Sequence, residues 1–229
     1  DSTAEAMRAL QPHVAPERLD LLVNALIPAI VLRPAPGDRV GGTRMGGTPD
    51  VPADFVWPRP VPPDNPEEIA SRGNELAARE MREHLALDLP YAFIAQIDLA
   101  EAAALGAVAS PLPGNGRLLF FYDFGVGPWE PGSRVARVIW ERSPTTRLIS
   151  SEMPAELAAV AKRDCCFYGA PRRPKTLRST LRLPYLSALE FNGLESKLDL
   201  DRLDRVQWVD FATRYQDAPD ICQDNHSAD

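Results

Sequence analysis

Cysteine and histidine are scarce in this sequence, three of each among 229 residues. Cys165 and Cys166 are adjacent and Cys222 is distant, a spacing that builds neither an even disulfide framework nor a metal-ligand set. The expectation is a reducing, cytoplasmic compartment, with no metal and no cofactor. Positive charge is also in deficit: 25 Lys and Arg stand against 32 Asp and Glu, a net charge of −7. Nucleic-acid binding draws on the release of counterions by a basic footprint, which the chain as a whole lacks, so a nucleic-acid partner is not expected. No stretch approaches the ~18 consecutive apolar residues of a membrane helix, and no apolar run follows a basic start, so neither a membrane span nor a secretory signal is expected.

Apolar residues make up 45% of the chain and charged residues 25%, enough to build a core and too little charge excess for general disorder. The 23 prolines are roughly twice average usage and point to long ordered loops between short elements. Leu19, Leu22, Val23, Leu26, Ile27 and Ile30 recur at helical spacing behind Pro16, a residue suited to a first helical position. Pro28 should end or kink that helix, leaving Ala29–Leu32 extended. Asn65-Pro66-Glu67-Glu68 combines a capping amide, a proline at the first position and acids in the first turn, and predicts a helix to about Leu87.

Tyr91–Leu99 is the clearest strand, with Tyr91, Phe93, Ala95, Ile97 and Leu99 on one face and Ile94, Gln96 and Asp98 on the other. Asp98-Leu99-Ala100-Glu101 has capping-box spacing for a short alanine-rich helix that Gly106 would close. Behind the turn Pro113–Gly116, the run Arg117–Phe124 reads as a central strand buried on both faces. Val135–Trp140 and Thr176–Leu183 read as strands, Pro154–Lys162 and Asp201–Tyr215 as helices. Strands do not alternate regularly with long helices, so the expected class is α+β, with antiparallel strands of mixed length, flanking helices and many loops. One domain is expected over 1–215, followed by an acidic, flexible tail over 216–229.

Two stretches, taken in order, resemble a known family. Met45-Gly46-Gly47-Thr48-Pro49-Asp50-Val51-Pro52 leads to Trp57-Pro58. Phe93-Ile94-Ala95-Gln96-Ile97-Asp98-Leu99 follows, and then Leu112-Pro113 through Gly116-Arg117-Leu118-Leu119-Phe120-Phe121-Tyr122-Asp123. This succession is similar to the YwqG-like family of bacterial domains of unknown function, over about 45–123. The resemblance implies an antiparallel α+β fold and a setting alongside bacterial toxin and immunity systems, and it implies no catalytic residues. It further implies a second segment with a His-Leu-Leu-Gly-like loop and another Gln-Ile-Asp strand. Only Asn225-His226 stands where such a segment would begin, so the C-terminal part is expected to be truncated or divergent.

Each candidate site has a plainer structural explanation beside it. The loop Gly41–Thr48 could aim N–H groups at an anion, yet it lacks the Gly-Lys-Ser/Thr ending of a phosphate loop, and Gly46 and Gly47 serve equally as turn glycines. Gln96 and Asp98 share a strand face and, with Arg44 and Trp57, would wall a polar pocket; as structural residues they would satisfy loop backbone and cap a helix. Arg172, Arg173 and Lys175, with Arg178 and Arg182, form a local basic stretch that would hold an anion or simply meet solvent.

Cys165 or Cys166 with His13, His84 or His226 would make a thiol–imidazole pair, and adjacent small cysteines otherwise fill a core. Glu67–Glu68 and Asp199–Asp201 have helix-start explanations, and Trp57, Trp129, Trp140 and Trp208 read as core or loop anchors. Two functional expectations remain. One is a non-catalytic module binding a protein, a basic one by charge, in an immunity or regulatory role. The other is an enzyme or binder of a small anionic ligand using the glycine-pair loop with Gln96 and Asp98.

Overall fold

The computed structural model describes residues 2–12, 16–61, 64–127, 135–162 and 168–182. The described residues fall into two compact units, one drawn from residues 2–31 with 178–182 and the other drawn from 32–177. In the first, α1 (Thr3–Leu10) is opened by a reciprocal capping box, in which the Glu5 N–H donates to Ser2 Oγ and the Ser2 N–H donates to Glu5 Oε2. Sequence reading passed over this helix, although Ser2 and Glu5 carry its signal. α2 (Pro16–Ala25) stops earlier than the apolar spacing suggests, and β1 (Ile27–Pro34) begins one residue before Pro28. A residue preceding proline is driven out of the helical region, so Ile27 and Ile30 belong to a strand and not to a helical stripe.

In the second unit, β2 (Arg44–Met45) and β3 (Asp50–Val51) are two residues each. The single helix expected after Asn65 is two, α3 (Pro66–Ala70) and α4 (Glu75–Ala86). Asn65 and Asn74 cap them by accepting from the N–H groups of Glu68 and Ala77, and the second cap restarts the helix where Gly73 interrupts it. Next come β4 (Ala92–Asp98), α5 (Leu99–Ala103), β5 (Arg117–Tyr122), β6 (Ala136–Glu141), β7 (Ile149–Ser150), α6 (Ala155–Ala161) and β8 (Arg173–Arg182). The expected helix Asp201–Tyr215 and the tail lie outside the described residues.

Six strands hydrogen-bond in the order β1-β8-β2-β4-β5-β6, and β3 pairs with β7. The pairings of β2 with β4 and β8, and of β5 with β4 and β6, are antiparallel, as is β3 with β7, which makes this an α+β fold. The alternation read into β4 is broken by a bulge: Phe93 opposes Phe121 and Ala95 opposes Phe120, so Ile94 is the extra residue. Its freed carbonyl accepts from the Gly46 N–H at 2.9 Å. β5 is buried on one face and half-buried on the other, not buried on both as its composition suggests.

One face of the β4–β5–β6 sheet packs Val51, Tyr91, Phe93, Leu119 and Phe121 with Phe55, Trp57 and Ile139. Trp57 stands edge-on to Phe121 at 5.6 Å and donates from Nε1 to the Tyr91 carbonyl at 2.8 Å, which fixes the 52–61 loop against β4. A second cluster of Ile69, Ala70, Ala78, Met81, Val126 and Val135 seats α3 and α4. Among the described residues no helix is long and apolar enough to cross a membrane.

Candidate functional site

The two-residue strand β2 cannot hold itself in a sheet by its ladder alone, and buried polar side chains complete it. Arg44 lies opposite Gln96 on β4 and opposite Pro174 on β8. Its guanidinium is fully buried and pairs with the equally buried carboxylate of Asp50, while Nη2 donates to the Thr48 carbonyl. Asp50 also accepts from the Gly41 N–H at 2.6 Å, from Gln96 Nε2 at 3.2 Å and from Ser150 Oγ at 2.8 Å. Burial pushes the Asp50 carboxyl up, but the Arg44 guanidinium, the Gly41 N–H and the Ser150 hydroxyl outweigh it and hold the group far below the ordinary carboxylate range. Gln96 spans the same centre, accepting from the Asp50 N–H at 2.8 Å and donating to the Gly42 carbonyl at 2.8 Å.

A second network flanks it. Asp98 caps α5 through the Ala100 N–H and pairs with Arg39, while its own N–H donates to Thr43 Oγ1 at 3.0 Å. The capping box expected from Glu101 does not form. Its carboxylate instead accepts from Thr43 Oγ1 at 2.6 Å and, on β8, from Thr176 Oγ1 and the Leu177 N–H, both at 2.8 Å. The side chain is drawn to one donor in the 41–43 loop and two on β8 in preference to its own helix start.

These groups border a cleft of about 430 Å³ lined by Gly37, Asp38, Arg39, Thr43, Glu101 and Lys175 among others, within the size range of small-ligand sites. Asp38 is paired with Arg172, which also donates to Ser150 Oγ at 2.6 Å and reaches within 3.7 Å of Asp50. Glu101 is satisfied by its three donors. Lys175 is half-buried, and its ammonium has no ion pair among the described residues.

The sequence candidates therefore separate. Arg44 and Gln96 meet at one buried centre, Asp98 reaches the cleft through Arg39, and Lys175 lines it. Arg173 opposes Met45 on β8, half-buried, and Trp57 belongs to the apolar cluster. The N–H groups of Gly46 and Gly47 donate to the carbonyls of Ile94 and Ala170, so both are engaged by backbone. Both glycines have φ of +68°, and a Cβ on Gly46 would stand 2.3 Å from the Pro171 carbonyl oxygen. They let the 170–172 segment approach β2.

Thr43 was read only as part of the glycine-pair loop and Glu101 only as a capping-box acid; Asp50, Arg39 and Asp38 escaped sequence reading, because most of the partners they meet lie elsewhere in the chain. So did Arg117, buried beside Gly41, with Nη1 donating to the Ser143 carbonyl at 3.1 Å and its Nε without a partner. Of the thiol–imidazole candidates, the cysteines, His13 and His226 lie outside the described residues. His84 Nε2 sits 2.7 Å from Asp123 Oδ1, and Asp123 is anchored by the N–H groups of Gly125 and Val126. No group of three His, Cys, Asp or Glu suited to a metal occurs among the described residues.

Residues 43–221 match the model of a family described as "Domain of unknown function (DUF1963)". The chain belongs to this family. The DUF1963 match opens at Thr43, takes in the Arg44–Asp50–Gln96 centre, and continues well beyond the 45–123 stretch on which sequence resemblance rested. The C-terminal portion through residue 221 thus falls within DUF1963. Comparison with curated protein sequences finds no match.

Proposed function

We propose that this DUF1963 chain is a non-catalytic protein-binding module, acting as an immunity-type or regulatory partner in a bacterial toxin system. The observation that carries the reading is how fully the carboxylate and the amide of its polar centre are engaged, although the buried Arg44 Nε has no partner among the described residues. Gln96 is committed at both ends of its amide, and Asp50 accepts from four groups. A general base or nucleophile-positioning group needs spare capacity toward a substrate, whereas a buried carboxylate and amide fully engaged by their neighbours specify a rigid scaffold. The net charge of −7 suits a basic partner, whose binding would weaken as salt screens charges at the rim. The likeness to the YwqG-like family, with its toxin and immunity setting, gives the partner class. Affinity capture with the tagged chain from a bacterial lysate at low and moderate salt, followed by reconstitution from purified components, tests it. One stoichiometric, salt-sensitive protein partner is the expected result; no partner that survives reconstitution refutes it.

The cleft beside Lys175 favours a second reading, a small anionic ligand held by the Lys175 ammonium and the Arg39 guanidinium. The probe is inorganic phosphate titrated against the melting temperature. Stabilisation that Lys175→Gln abolishes supports this reading. Equal response of wild type and Lys175→Gln removes it.

A further inference from the structure

Strand β6 ends the six-strand order, and among the described strands it has a neighbour on one side only. An edge strand presents a row of unpaired backbone N–H and C=O groups, which proteins usually blunt with lysine, proline, a bulge or a covering segment. β6, Ala136-Arg137-Val138-Ile139-Trp140-Glu141, contains no lysine or proline, and its register with β5 runs unbroken for all six residues. Its side chains are unusually exposed for an apolar strand, Val138 at 53% and Trp140 at 44%. Trp140 is nevertheless fixed, with Nε1 donating to the Asn115 carbonyl at 3.0 Å and the Arg142 guanidinium 5.0 Å from its ring. An anchored aromatic on a free edge contributes contact area at little conformational cost.

The order of residues along the strand selects the occupant. Suppose a second copy pairs antiparallel about a two-fold axis through Ile139. Arg137 then faces Glu141 of the other copy, twice by symmetry; Val138 faces Trp140, also twice; and Ile139 faces itself. Arg137, Ile139 and Glu141 share one face of the sheet and Val138 and Trp140 the other, so this register keeps both faces continuous across the axis. Moving the axis to Val138 places Arg137 opposite Ile139, and moving it to Trp140 places Glu141 opposite Ile139; both forfeit the charge match. Arg137 is exposed and has no ion pair among the described residues. Glu141 uses Oε1 to accept from the Ser143 N–H at 2.6 Å and already feels the charge of Arg117 opposite it on β5, and a guanidinium arriving from a second copy would add a further contact to its carboxylate.

We propose that β6 is a homodimer interface, joining two copies of this chain through an isologous, antiparallel edge-to-edge contact into one continuous sheet. Five facing pairs make a small interface, so the association is weak and concentration-dependent. It is independent of the partner-binding reading, which neither outcome below disturbs.

The test is sedimentation velocity of the full chain from about 10 to 500 µM, the range in which weak self-association registers. Wild type shows a monomer–dimer equilibrium. Arg137→Glu and Glu141→Arg each weaken it about ten-fold or more, because each places like charges opposite one another twice. An equimolar mixture of the two recovers the dimer, since every facing pair is then of opposite sign, and misfolded chains would not complement. Val138→Lys, at a position already half open to solvent, also removes the dimer while the far-ultraviolet circular dichroism stays that of wild type. Should Glu141→Arg unfold for want of its Ser143 contact, Arg137→Glu and Val138→Lys carry the test. Wild type that stays monomeric throughout, or a dimer that persists in Val138→Lys and Arg137→Glu, overturns the proposal. So does failure of two folded charge variants to complement.

Discussion

Replacing Asp50 by Asn changes one oxygen for an NH2 group and should be among the most damaging conservative substitutions in the chain. The carboxylate and its partner Arg44 are both fully buried, so the change leaves a guanidinium deep in the structure with no countercharge. Removing one member of a buried pair costs about 3–5 kcal/mol, most of it the desolvation of the charge left behind. At about 2–4 °C per kcal/mol for a chain of this size, the melting temperature should fall by about 6–20 °C. Thermal unfolding followed by both circular dichroism and tryptophan fluorescence is the assay, since the chain forms two units and coincidence of the probes tests whether one transition is being measured. The double variant Arg44→Met/Asp50→Leu should melt closer to wild type than either single charge removal, because it withdraws both charges from the interior together. Asp50→Asn melting within about 2 °C of wild type would refute the account, as a fully buried ion pair cannot lose its anion at that cost.

Acid should act partly through Asp123. Burial pushes this carboxyl up, but the hydrogen bond and charge of His84 and the N–H groups of Val126 and Gly125 outweigh it and lower its pKa. A group whose folded pKa lies below its unfolded value, near 3.9 for an aspartate, contributes stability above about pH 4 and loses it as pH falls through the folded value. The gap in urea midpoint between wild type and Asp123→Asn should therefore be wider at pH 6 than at pH 3, and a gap that grows on acidification contradicts the assignment. Gly46→Ala should destabilise by at least about 1–3 kcal/mol, since φ is +68° and the added carbon meets two backbone carbonyl oxygens. Gly114→Ala, with open space around the new carbon, should stay within about 0.5 kcal/mol in the same denaturation assay.

Local signals in the sequence located most elements and misplaced several of their limits. Asn65 reads as a cap from its neighbours alone, and the cap forms; the second cap, Asn74, was hidden inside what composition presents as one helix. Ile27 and Ile30 fit a helical stripe until the proline between them is allowed to reset the backbone. The bulge at Ile94 left no local mark, and the donor that meets its carbonyl, the Gly46 N–H, lies forty-eight residues earlier in the chain. Gln96 and Arg44 stood out as polar residues in suggestive places, and the structure brings them together. The Asp50 and Glu101 roles depend on donors from β8 and from the 41–43 loop, which no spacing along the chain reveals.

The polar centre and the edge at β6, which has one strand neighbour among the described residues, are two consequences of how this sheet is assembled. β2 contributes only two residues between β8 and β4, too short a ladder to hold a long strand on each side. Side chains take over: Gln96 ties the 41–50 segment to β4, Arg44 braces that segment internally through Asp50 and Thr48, and Glu101 ties Thr43 to Thr176 and Leu177. Such a network gains strength as its members are satisfied; here Asp50, Gln96 and Glu101 are fully engaged while the buried Arg44 Nε has no partner among the described residues, and that engagement commits these residues to the fold and withdraws them from chemistry at the surface. The opposite end of the sheet, β4–β5–β6, needs no such support, because its ladders are six residues long and its inner face is packed with aromatic side chains. Recognition by main-chain pairing is therefore available at β6, where the ladder is regular and Val138, Ile139 and Trp140 lie between Arg137 and Glu141, and not at β2, where the backbone is already committed on both sides.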